Sequence, residues 1–123
     1  MSSVLLKDKS KAFANRVVAC CRVLRERRAE TVLVNQLLRS GTSVGANIAE
    51  AQFAQGEKDF ISKMEIALKE INETEYWLEL LFNAGYLNNR EFLSMRNDCI
   101  VIRKMLIASI TTVKKRIYSQ KNK

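Results

Sequence analysis

The stretch Gln36-Leu37-Leu38-Arg39-Ser40-Gly41-Thr42-Ser43-Val44-Gly45-Ala46-Asn47-Ile48-Ala49-Glu50-Ala51 decides the fold. At helical spacing it separates into three stripes. Gly41, Gly45 and Ala49 recur every four residues and form a ridge with almost no side chain, against which a second helix can pack closely. Val44, Ile48 and Ala51 make an apolar stripe, and Ser43, Asn47 and Glu50 a polar one. A glycine inside a helix costs roughly 0.5–1 kcal/mol, so placing two of the chain's four glycines in one helix requires a packing or bending reason.

Toward the N-terminus, a frayed lead-in over residues 1–7 is expected to precede a first helix from about Asp8 to Arg28. Phe13, Val17, Cys20 or Cys21, and Leu24 line its inner face. A break near Arg28–Glu30 opens a second helix that is expected to continue, with room for a bend at Ser40–Thr42, over about 30–55; the alternative is a fresh start there with Ser40 as cap. Beyond the turn at Gly56, the residues Phe60, Met64, Ala67, Ile71, Thr74, Leu78 and Leu81 alternate spacings of four and three. That is the seam of a bundle helix over 57–84. Gly85 suits the left-handed residue that ends it. Asn88 with Glu91 reads as a capping box and Leu87 with Phe92 as its staple, opening a fourth helix over about 89–118. No alternating strand pattern of useful length competes. The simplest arrangement is all-α: one domain over residues 1–123, folded as an antiparallel up-down-up-down four-helix bundle.

Composition narrows the chemistry. Of 123 residues, 47 % are apolar, enough for a core, although a domain this small gains from assembling with copies of itself. Proline and histidine are absent, which removes forced helix breaks and also the commonest general base and metal ligand. Cys20, Cys21 and Cys99 lie in apolar segments and fit reduced thiols in a cytoplasmic protein. Neither a signal-length apolar run nor a membrane-spanning one occurs, so no membrane partner is expected. The net charge of +8 is unevenly distributed. Residues 1–49 hold nine basic and three acidic groups, residues 50–86 three and eight, and residues 87–123 nine and two. Such a basic–acidic–basic order implies matching between helices, a basic surface for an anionic partner, or both.

Catalytic motifs are missing. Gly41 and Gly45 match no phosphate-binding fingerprint, a di-metal bundle site wants Glu-x-x-His pairs, and no imidazole is present to activate Ser40 or Ser43. Neither catalytic residues nor a cofactor or metal are expected. The Ser43, Asn47 and Glu50 face admits two main readings, with a ligand or catalytic pocket a minor third. One is capping and solvent-facing polarity; the other is a structural network reaching Arg39, Lys69, Thr74 or Tyr76 across the close helix contact. Two basic clusters stand out, Arg22, Arg25, Arg27 and Arg28 on the first helix, and Arg103, Lys104, Lys114, Lys115 and Arg116 on the fourth. They read as a solubilising surface, as pairing with the acidic third helix of a neighbouring subunit, or as contacts to RNA or DNA phosphates, with an anionic membrane the weakest reading because the apolar faces already have packing roles. Val101, Ile107 and Ile110 widen the apolar stripe of the fourth helix beyond one intrachain seam and are expected at an oligomer interface.

The run Asn35 to Ala51, together with Lys58-Asp59-Phe60, Ala67-Leu68-Lys69-Glu70 and Glu73-Thr74-Glu75-Tyr76-Trp77-Leu78-Glu79-Leu80-Leu81, resembles bacterial four-helix-bundle proteins encoded in intervening sequences of 23S ribosomal RNA genes. The resemblance covers roughly residues 10–118 and implies a bundle that assembles as a ring, with a homopentamer favoured. It also implies a distant likeness to accessory proteins of diversity-generating retroelements, which act beside a reverse transcriptase on nucleic acid. No catalytic residues come with it. Two functional classes follow: a nucleic-acid-associated oligomer, and a scaffold for a protein partner.

Overall fold

The computed structural model describes residues 2–121, with side chains from Val4 onward. Helix α1 spans Ser2–Glu26, α2 Thr31–Ala51, α3 Glu57–Asn83 and α4 Asn89–Lys121. Helices take up 88 % of the described residues, and none of these residues is in a strand. Packing runs α1 to α2, α2 to α3 and α3 to α4, and the sparser contact of α1 with α4 closes the four-helix bundle.

The glycine ridge faces α1. A Cβ on Gly41 would stand 2.7 Å from a Val17 methyl, and one on Gly45 3.3 Å from the Ser10 carbonyl oxygen. Only the absence of side chains lets α1 and α2 approach this closely. The apolar stripe of α2 then fills the centre with Leu37, Val44 and Ile48, opposite Met64, Ile71 and Leu78 of α3, and all six are fully buried. Phe60 of the expected seam is only half-buried, and Ile61 is buried at the start of α3.

Helix α1 starts earlier and α2 ends earlier than the sequence reading has them, while α2 runs through its middle as expected. Helix α1 begins at Ser2, because nothing between there and Asp8 breaks a helix and Leu6 is anchored in the core. Met1 of the expected lead-in lies outside the described residues. Helix α2 continues unbroken through Ser40–Thr42, where the hydroxyls bond back to its own carbonyls: Thr42 Oγ1 donates to Leu38 O (2.7 Å) and Ser43 Oγ to Arg39 O (2.6 Å). It stops at Ala51 rather than near Gln55, because the amides of Gln52, Phe53 and Ala54 turn back to carbonyls three residues earlier.

The turn between α3 and α4 follows its local code. Gly85 has φ 87°, and the Tyr86 amide donates to Leu81 O. The Glu91 amide donates to Asn88 Oδ1 (2.8 Å) while the Asn88 amide donates to Glu91 Oε1 (2.9 Å), a reciprocal capping box. Beside it Phe82 and Phe92 stack at 4.5 Å between ring centres.

Candidate nucleic-acid interface and the charge network between helices

Polar contacts across α2 and α3 run through Arg39 and Ser40. The Arg39 guanidinium donates to Glu70 (3.1 Å), Glu73 (2.9 Å) and Gln36 (3.2 Å). One helical position on, the Ser40 and Thr74 hydroxyls meet 3.0 Å apart in the core, and the Thr74 hydroxyl also reaches the Glu70 carbonyl. Ser43 and Asn47, expected in this network, instead bond to carbonyls four residues back on their own helix, and Glu50 pairs with Lys63 at 3.5 Å. The reason is reach. Short side chains on the flank of α2 find their own backbone first, whereas arginine spans the gap and Ser40 already sits at the contact. The expected partners Lys69 and Tyr76 lie on the outer side of α3, where the Tyr76 and Trp77 rings meet in a T-shaped contact, 5.1 Å between centres. Two hydroxyl residues in the apolar seams, Ser40 and Thr74, were the available signal for the real contact.

The basic clusters divide into two groups. Four of their nine members are tied to carboxylates. Arg27 forks onto both oxygens of Glu91 (2.8 Å each) and donates to Tyr86 O. Arg103 bonds Glu75 and Asn72, Lys114 pairs with Glu65 at 3.0 Å, and Arg116 pairs with Glu57. Arg22, Arg25, Arg28, Lys104 and Lys115 are exposed and make no ion pair or side-chain hydrogen bond among the described residues. The acidic middle of the chain is therefore neutralised largely within the bundle.

Glu91 serves the cap of α4 and the Arg27 fork together. The fork first, and the Asn88 amide second, hold its carboxyl down at about 2, against an ordinary value of 4.5. Its folded pKa lies below the unfolded one, so its stabilisation is complete above about 4.5 and is lost as pH falls through about 2. In Glu91→Gln, the melting temperature is expected to fall less steeply than in the wild type across that acid window. Circular-dichroism melts of both proteins check this, and parallel curves would assign the acid sensitivity elsewhere. The thiols are kept protonated by burial, which pushes Cys21 to about 11 and Cys99 to about 12.

Val101, Ile107 and Ile110 do not share a surface. Ile110 is buried in the core, Val101 lines a shallow opening between α1 and α4, and Ile107 is half-exposed elsewhere. Nine residues at about 100° each turn Ile110 half a revolution from Val101, which explains the separation. A different set does align. Leu93, Ile100 and Ile107, seven residues apart, share one side of α4, with Leu93 and Ile107 about half exposed. Among the described residues no helix is long and apolar enough to cross a membrane, and no cluster of acidic or cysteine side chains could hold a metal ion.

Fold and side chains together define a small antiparallel four-helix-bundle protein, locked by ion pairs between helices and carrying surplus arginine and lysine outside. The chain belongs to the family of 23S rRNA-intervening sequence proteins, whose profile matches residues 3–108. It is similar to a protein of unknown function of the S23 ribosomal protein family from Bacteroides thetaiotaomicron VPI-5482, known from a crystal structure. The two share 50 % identity over 90 % of this chain and 99 % of that one, with a TM-score of 0.88. No curated protein matches the chain.

Proposed function

We propose that this chain is a cytoplasmic, non-enzymatic bundle protein that self-associates and contacts RNA or DNA phosphates through the cations its internal pairs leave over. The observation that carries this reading is the division of the basic clusters: Arg22, Arg25, Arg28, Lys104 and Lys115 are exposed and have no ion pair among the described residues, while their neighbours are matched to carboxylates. With no base-reading motif, such contacts are phosphate-directed and weaken steeply with salt. The test is binding to structured RNA, single-stranded RNA and duplex DNA between about 50 and 200 mM salt. The triple variant Arg22→Gln, Arg25→Gln, Arg28→Gln is expected to bind more weakly and with a shallower salt slope, at unchanged helicity. Arg27 is left intact there, because removing it would break the Glu91 fork. Absence of binding to all three probes at low salt rejects this reading.

The second reading, a scaffold for protein contacts, draws on the Leu93, Ile100 and Ile107 strip, which suits another helix. A second copy of the chain is the expected occupant, and five subunits rest on the family resemblance alone. Light scattering coupled to gel filtration should give a multiple of the 14.1 kDa chain mass, reduced in Leu93→Glu with Ile107→Glu. A wild-type monomer at micromolar concentration rejects self-association. An unchanged mass in the variant moves the interface elsewhere.

A further inference from the structure

The side of the bundle between α1 and α4 is a cleft. Two openings of about 250 and 330 Å³ follow one another along it, with Arg16 in the wall of both. A third, of about 440 Å³, carries the line on over Phe60, because Val101, Met105, Ala108 and Thr112 recur at spacings of four, three and four on one side of α4. The walls are low, since Ala12, Ala19 and Ala108 are exposed along them.

The same helix carries an apolar ridge with no partner. Leu93, Ile100 and Ile107 stand three or four residues from Arg96 and Arg103, which bond Glu75, so the ridge lies next to the α3 side of α4. Each ridge residue falls at the height of one opening. Leu93 lies between Glu91 and Met95, Ile100 between Asn97 and Ile102, and Ile107 between Met105 and Ala108. A second α4, parallel and unshifted, therefore sets one apolar side chain over each opening. A foreign protein in the cleft would leave the ridge bare, whereas every copy of this chain brings one of each.

Charge selects the same occupant. Helix α1 holds six basic and two acidic side chains, and α3 three basic and seven acidic, yet the two stand diagonally in the bundle. Round the axis of α4 the order is α3, ridge, solvent, cleft and α1. A parallel copy that seats its ridge in the cleft thus brings its α3 alongside the outer side of α1. Arg22 stands on that outer side, nine residues or about half a revolution from the buried Phe13, and Lys11 lies about three turns before it. Both are exposed and have no ion pair among the described residues. On α3, Glu65, Asn72 and Glu79 recur every seven residues along the flank where Glu65 bonds Lys114 and Asn72 bonds Arg103. Glu79 is exposed and has no ion pair among the described residues.

We infer that the Leu93, Ile100 and Ile107 ridge of one copy seats in the α1–α4 cleft of the next, with the acidic flank of its α3 against Lys11 and Arg22. This contact rests on the self-association proposed above and supplies the surface that meets the ridge. It joins two different surfaces, so it passes from copy to copy, and with no shift along the helix it closes on itself instead of climbing into a filament.

Mixing two variants tests it. Leu93→Glu with Ile107→Glu removes the ridge and keeps the cleft; Ala12→Glu with Ala108→Glu, both at exposed positions, blocks the cleft and keeps the ridge. Circular dichroism checks helicity, and light scattering coupled to gel filtration gives the masses. Each variant alone is expected at the 14.1 kDa chain mass. An equal mixture is expected at twice that mass and no higher, because one sound ridge meets one sound cleft. A cleft variant that keeps the wild-type mass, or a mixture that stays monomeric, overturns the inference and leaves self-association standing. A wild-type monomer overturns both. The charge contact has its own readout. Arg22→Glu is expected to raise the concentration at which the assembly dissociates at least about tenfold, and adding Glu79→Arg to recover most of that rise. A double variant that assembles no better than Arg22→Glu places α3 elsewhere and also overturns the inference.

Discussion

Gly41→Leu is expected to destabilise the bundle by about 3 kcal/mol or more, the largest effect of any single change considered for this chain. Even the first carbon of a new side chain at position 41 would stand 2.7 and 2.8 Å from the two Val17 methyls. Val17 is fully buried and β-branched, with one strongly preferred rotamer in a helix, so it yields at a cost. Helix α1 must therefore swing away from α2. Gly45 has slightly more room, with its nearest obstacle 3.3 Å away, but that obstacle is backbone. Gly45→Leu is accordingly expected to cost about 1–3 kcal/mol. For Gly45→Ala, a crowded methyl nearly offsets the gain in helix propensity of about 1 kcal/mol. Urea melts measure all three. A Gly41→Leu midpoint equal to wild type would mean the two helices are not in close contact.

The second large effect is expected at Arg39. Replacing it with methionine leaves Glu70, only 7 % exposed, without the guanidinium 3.1 Å away, and Glu73 without its partner as well. Because Arg39 itself is half-exposed, the expected cost is about 2 kcal/mol, less than for a fully buried pair. Adding Glu70→Met should recover much of that loss, since the uncompensated carboxylate goes with it. A loss below about 0.5 kcal/mol for Arg39→Met would class the contact with ordinary surface pairs.

What could be read in advance was local. Gly85, the Asn88 and Glu91 box and the seam from Met64 to Leu81 each encode their structure within a few neighbouring residues, and the chain follows them. The close contact signalled by Gly41 and Gly45 was also legible, although not that α1 would be the partner. The charge network was much less so. Whether Lys114 is spent on Glu65 or left for a ligand depends on the rotation of α4 against α3, and no spacing within one helix reports that. Position 47 failed for a related reason. A polar residue beside an apolar stripe has its own backbone within reach, and Asn47 takes it. Val101 and Ile110, nine residues apart, stand on opposite sides of α4, whereas Leu93, Ile100 and Ile107 recur every seven residues along one side, a spacing visible in the sequence.

The sparse contact between α1 and α4 has a consequence for synthesis. Translation proceeds from the N-terminus, so α1 and α2 emerge well before the residues of α4 that will cover the other flank of α1. Until Ser94 and Asp98 are available to Arg16, and Glu91 to Arg27, the nascent α1 has only α2 to hold, and it holds it along Gly41 and Gly45. Phe13, which stands beside Val101 and Ile102 in the finished bundle, meanwhile lacks that cover. The same small ridge that fixes the finished packing thus acts earlier as a temporary clasp, shielding half of an apolar helix while the rest of the protein is being made.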